Sequence, residues 1–122
     1  MTLSIAQVVF DCDDAQALAG FWSKVLQRPV DEGGAEFFAS IGVRTRGPGP
    51  ALMFIKVPEP RQVKNRVHLD LIDTAGGDWA AEVERVIGLG AVQLAEHKEF
   101  GTQWVTLRDP EGNEFDIGAG LG

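Results

Sequence analysis

The chain has 122 residues, 44% of them hydrophobic, and a formal net charge of −7 from 11 basic and 18 acidic residues. That length supports one domain with a packed core, and the acidic balance, with no cluster of Lys or Arg, argues against nucleic acid and against an anionic membrane surface. A single cysteine excludes an intramolecular disulfide framework and a Cys-based zinc site; with no basic stretch leading a long apolar run and no window approaching a membrane span, a soluble cytoplasmic protein is the expectation.

Ser4 to Phe10 reads as a short apolar strand interrupted by Gln7. Asp13 and Asp14 supply N-cap chemistry for a helix to about Leu26, with Ala17, Leu18, Phe21, Trp22, Val25 and Leu26 on one face. Arg28-Pro29 ends it, because the residue before Pro avoids helical angles. Val30 starts a short strand, Gly33-Gly34 turns the chain, and Glu36 to Ile41 is a strand. Gly42 to Pro50 is a Gly/Pro loop holding Arg44 and Arg46, either solvated or available to an anionic group. Ala51 to Val57 is an apolar strand closed by Pro58 and Pro60.

Arg66 to Ile72 is a strand with His68 and Asp70 on one side and Leu69 and Leu71 on the other. Asp78 caps a helix from Trp79 to about Ile87, which places Trp79, Val83, Val86 and Ile87 inward; Gly88-Leu89-Gly90 stops it. Ala91 to Ala95 is a strand and His97 to Gly101 a turn or loop. Trp104 to Ile117 is a hairpin around Asp109-Pro110-Glu111-Gly112, where Asp opens the turn, Pro presets φ, and Gly takes the left-handed position. Gly118 to Gly122 is a frayed tail.

The order strand-helix-strand-strand-strand thus occurs twice, over about residues 1–60 and 61–122. Laying Gln7 on His68 gives an offset of 68 − 7 = 61, which carries Asp116 back to Ile55. If the halves pack about a pseudo-twofold, Gln7, Ile55, His68 and Asp116 converge on one concavity.

Three segments carry a resemblance to the vicinal oxygen chelate superfamily, and within it to glyoxalase-like and bleomycin-resistance-like domains. They are Val8-Val9-Phe10-Asp11-Cys12-Asp13-Asp14 with the helix after it, Val67-His68-Leu69-Asp70-Leu71, and Asp109-Pro110-Glu111-Gly112-Asn113-Glu114-Phe115. The resemblance implies an α+β fold of two βαβββ modules whose curved mixed sheets surround a cup, often in a homodimer. It implies that Gln7, His68 and Asp116 occupy ligand positions for a divalent metal (Zn, Ni, Mn, Fe or Mg) that chelates vicinal oxygens of a small-molecule substrate. Ile55 falls where metal-dependent glyoxalases carry Glu, and Ile neither coordinates nor accepts a proton, so glutathione-dependent glyoxalase activity is not expected.

Strand alternation adds Val9, Met53, Trp104 and Thr106 to the cup lining, a half-apolar surface suited to a small organic ligand. The plain readings stand beside these: His68 hydrogen-bonded to Asp116 or Gln7 without metal, or a general base beside a carboxylate; Asp70 at the rim; Trp104, Phe37 and Phe38 in core packing; Cys12 an inert packed thiol; His97 exposed and without a role. Two functions follow. One is a glyoxalase-like lyase, isomerase or dioxygenase-like enzyme with His68 and Asp116 as catalytic residues. The other is a non-catalytic protein that sequesters a small hydrophobic or aromatic compound. A domain retained only for dimerisation is the third reading.

Overall fold

The structure, a computed structural model, describes residues 2–44, 47 and 49–119. Arg46 therefore lies outside the described residues, as do the last three of the tail. The fold is α+β, with two mixed sheets and two helices among the described residues, and the chain divides into two compact units, Met1–Arg61 and Gln62–Gly122.

In the first unit, β1 (Gln7–Cys12) runs parallel to β3 (Ala51–Lys56), and β2 (Phe38–Ile41) pairs antiparallel with β3. Helix α1 (Ala15–Leu26) packs on β2 and β3. Its N-terminus is held by the Asp14 carboxylate, which accepts from Ala17 N at 3.1 Å. Ala15, Leu18, Ala19, Phe21, Trp22 and Val25 face inward, while Ala17 is exposed, one position from where the periodicity put it. The helix closes at Gln27, whose φ of 54° is left-handed, before Pro29 is reached. Val30 makes only a single antiparallel bridge to Ile41, because Pro29 has no N–H and Asp31 turns its carboxylate inward to the Ser40 hydroxyl, 2.7 Å away. Phe37 and Phe38 are exposed rather than in the core.

In the second unit the sheet order is β4 (Asp70–Ile72), β7 (Glu114–Gly118), β6 (Thr102–Arg108), β5 (Val92–Glu99), with β4 and β7 parallel and the other pairs antiparallel. Helix α2 (Trp79–Gly88) is capped by Asp78, which accepts from Ala80 N and Ala81 N, and packs on β7. Val83 and Val86 are buried, as are Val105, Leu107, Phe115 and Ile117, so one face of this sheet is core. The hairpin turn closes as its residues require: Asp109, 3% exposed, accepts from the backbone of Glu111 and Asn113 at 2.9 Å, and Gly112 has φ 90°.

Three boundaries differ from expectation. Residues 66–69 precede β4 rather than belonging to it. His97 lies within β5, and the chain turns instead at Phe100-Gly101, both with positive φ. Gly118 is the last residue of β7, buried and paired with Trp104, not the start of a tail.

Candidate functional site

The other face of the second sheet carries the chemistry. His68 Nε2 lies 3.1 Å from Asp70 Oδ1 and 3.2 Å from Asp116 Oδ2. Asp116 is held in place: its side chain is 14% exposed, and its second oxygen accepts from the Thr106 hydroxyl at 2.7 Å. The parallel ladder begins one residue before β4, where Asp116 N donates to Leu69 O at 2.9 Å. Further back, Asn65 substitutes for a strand. Its amide accepts from Glu114 N at 2.9 Å and donates to Glu114 O at 3.1 Å and Val67 O at 2.8 Å. His68 is thus fixed from both sides, although it lies outside regular structure.

The Asp70 carboxyl titrates above its ordinary value. Loss of hydration is the first cause and the Asp116 charge the second, partly opposed by His68. With 72% of its side chain exposed, Asp70 is still screened by water, so the effect is modest.

The three donor atoms lie within 4.8 Å of one another. Two cis ligands of an octahedral ion, each about 2.1 Å from it, are separated by about 3.0 Å. The His68–carboxylate distances of 3.1 and 3.2 Å match that spacing. One imidazole and two carboxylates suit a divalent ion of the Mn, Fe, Ni or Zn type. Thr106 would orient Asp116, as outer-shell partners do around metal sites.

Beside this cluster opens a cavity of about 670 Å³, whose walls include Trp104, Leu71, Ile72 and Phe100. Gln103 and Thr102 add neutral polar groups, and Gly118 forms part of the floor.

Residues 7–118 match the family described as the glyoxalase-like domain. The chain belongs to this family. No curated protein matches it. Among solved structures it resembles a glyoxalase/bleomycin resistance protein/dioxygenase family enzyme from Burkholderia phytofirmans PsJN (18% identity, 98% of this chain and 100% of the other covered, TM-score 0.74). It also resembles a mutant of the fosfomycin resistance protein FosX from Listeria monocytogenes, complexed with Mn(II) and 1S,2S-dihydroxypropylphosphonic acid (12%, 99% and 93%, TM-score 0.78). A third is lactoylglutathione lyase from Agrobacterium tumefaciens (15%, 98% and 96%, TM-score 0.69). At these identities the likeness is one of fold.

Within this glyoxalase-like domain, His68, Asp116, Trp104 and Thr106 come together on one sheet face of the second unit. Gln7, Val9, Met53 and Ile55 stand on one face of the first unit's sheet, opposite in parity to Leu52 and Phe54. Register refines the correspondence between halves. Gln7 precedes Val9 as His68 precedes Asp70, Val9 pairs with Met53, and Asp70 pairs with Asp116. The counterpart of Asp116 is therefore Met53, two residues from Ile55 on the same face. Both are apolar, so the missing carboxylate remains missing.

Asp70 moves from the rim into the cluster; its shared parity with His68 was the available signal. His97, expected to be exposed and without a role, is half-buried, and its ring stacks on Trp104 with centroids 4.9 Å apart and planes 20° from parallel. Only the true length of β5 reveals that pair. Cys12 is buried, as its parity indicated, with Sγ 3.5 Å from Ile55 O.

Proposed function

We propose that this glyoxalase-like domain, one functional unit over its two modules, binds a small oxygenated organic molecule in the cavity beside β4, β6 and β7. A divalent cation held by His68, Asp70 and Asp116 would take part. The observation that carries this is the meeting of the three donors within 4.8 Å of one another, the imidazole 3.1 and 3.2 Å from the two carboxylates, on the wall of a largely apolar cavity. A cation there would supply Lewis acidity toward oxygen atoms of the ligand. His68 and Asp116 hold and orient it, Thr106 fixes the Asp116 carboxylate, and the apolar wall excludes water and takes the carbon frame. The bound Mn(II) of the FosX structure agrees with this choice of ion.

A second reading is favoured by one feature. Among the described residues that line the cavity, the cluster itself holds every acid and base. If all three side chains bind the ion, none is left to move a proton, and the domain sequesters its ligand rather than transforming it.

Elemental analysis of protein purified without chelator, followed by calorimetric titration with Mn²⁺, tests the proposal. Wild type should bind the ion, and His68→Ala should lower the affinity by at least about tenfold. No binding at millimolar Mn²⁺, or equal binding by His68→Ala, would reject it.

A further inference from the structure

Residues paired across strands share a sheet face. On the face that carries the cluster, His97 of β5 pairs directly with Trp104 of β6, and Trp104 pairs in turn with Gly118 of β7. Gly118 has no side chain to offer, and the space one would fill is taken: a Cβ there would lie 2.8 Å from Trp104 Cβ. Of the two strands beside β6, β5 alone therefore presents a side chain to Trp104 in its own row. That side chain is the half-buried imidazole of His97, stacked 4.9 Å from the indole with the planes 20° apart. Trp104 lines the cavity and His97 does not, so the imidazole backs the wall rather than meeting what the cavity holds.

Imidazole is the side chain whose ordinary titration changes its charge between about pH 5 and about pH 8. A neutral ring packs on the indole by contact alone. A charged ring adds attraction to the electron-rich indole face, which acts within about 6 Å of the ring centre. His97 lies inside that distance. Among the described residues, those that share this face beside it are Ala95 and Glu99 on β5 and Thr102, Trp104 and Thr106 on β6. Glu99 is the titratable one of these, an anion two residues along the strand that attracts the same charge. Glu96 and Lys98 alternate to the opposite face. Beyond β6 the face carries Asp116 on β7 and Asp70 on β4, with His68 beside both.

We propose that His97 is a proton-sensitive positioning residue for the cavity wall. A proton taken from solvent by its imidazole tightens the stack and fixes the Trp104 indole in place; loss of that proton loosens it. The hold on Trp104 stands on the stack alone. Its effect on a bound molecule, firmer retention in mild acid and easier release near neutrality, rests on the reading of the cavity as a binding site.

The chain has two histidines, so His68→Gln leaves His97 as the one imidazole. In that background the indole N–H resonance of Trp104, assigned by its loss in Trp104→Phe, should move between about pH 8 and about pH 5. Adding His97→Gln should abolish the movement. A double-mutant cycle of His97→Gln and Trp104→Leu in urea unfolding measures the hold directly. The coupling should favour folding about two- to fivefold more at the acid pH than at the alkaline one, the size of one exposed cation–ring contact. His97→Phe, a ring without a charge, should keep the coupling and lose its pH dependence. A resonance that moves equally in His97→Gln, equal coupling at both pH values, or pH-dependent coupling in His97→Phe overturns the proposal. N-phenyl-1-naphthylamine, neutral across this range, reports on the cavity by its fluorescence. In the His68→Gln background it should bind up to about two- to fivefold tighter at the acid pH, and equally at both once His97→Gln is added. Binding that ignores pH while His97 is present refutes the effect on retention. No binding of the probe, with the resonance and the coupling behaving as expected, defeats the reading of the cavity alone.

Discussion

Asp70 carries its charge at a cost in the folded state. Its carboxyl is raised by partial loss of water and by Asp116, and His68 offsets only part of this. A carboxyl raised on folding contributes stability below its unfolded pKa of about 3.8, and that contribution is lost as pH rises through the higher folded value. At neutral pH the ionised Asp70 is therefore a net cost to the metal-free protein. Asp70→Asn should raise the melting temperature at pH 7 in EDTA, and the gain should shrink as the pH is lowered toward 3. In saturating Mn²⁺ the sign should reverse, because the variant has lost a ligand. Melting curves across pH with and without the ion check both halves. This also shows what parity alone conveys. Alternation placed Asp70 beside His68, but only the distance from Nε2 to Oδ1 shows that the two are in contact.

At the scale of elements, the informative segment is the one that is not a strand. Residues 66–69 have the apolar alternation of one, and the sequence reads there as a strand from Arg66; the ladder in fact starts at Leu69. Asn65 supplies the missing pairing through its side chain, a bidentate match to the backbone of Glu114 that no periodicity rule anticipates. The hairpin from Trp104 to Ile117 was legible because local chemistry decides it: Asp109, Pro110 and Gly112 each have a backbone job at their own position. The Phe100-Gly101 turn was legible only in place, within the turn or loop expected over His97 to Gly101; its start was not, because the strand before it carries His97, Lys98 and Glu99 and Phe is a poor marker for a left-handed residue. Asn65→Ala should therefore act locally. The loss of these part-exposed hydrogen bonds costs about 1–2 kcal/mol of stability, visible as a lower denaturant midpoint. Amide exchange at Asp116, bonded to Leu69 O, should accelerate more than exchange at Ile117 and Val105 in the core. Mn²⁺ affinity should fall with it, because His68 loses one of its two anchors. Unchanged affinity in a destabilised Asn65→Ala would show that His68 is positioned by Asp70 and Asp116 alone.

Across the whole molecule the chain builds the same sheet twice and equips it once. The orders β1-β3-β2 and β4-β7-β6-β5 correspond, with the Val30 bridge standing where β5 stands. The row Asp70, Asp116, Thr106 has as its counterpart Val9, Met53, Ser40, and His68 has Gln7. The constant offset of 61 misses this because the second unit is longer between its paired strands: Asp116 follows Asp70 by 46 residues, and Met53 follows Val9 by 44. Such a difference cannot be seen until the register is known. Chemically, the first unit offers an amide, two apolar side chains and a hydroxyl already committed to Asp31, a poor set for a divalent ion. Titration should accordingly saturate at one ion per chain rather than two, with elemental analysis giving the same ratio. The net charge of −7 raises the local cation concentration at low ionic strength. Affinity should therefore weaken between about 0.01 and 0.15 M salt while the stoichiometry stays fixed. At a free ion concentration of 100 times Kd, the bound state should gain about 2.7 kcal/mol against unfolding. Two equivalent ions per chain would mean that the repeat is functional as well as structural, and would place a second donor set on the face that carries Gln7 and Met53.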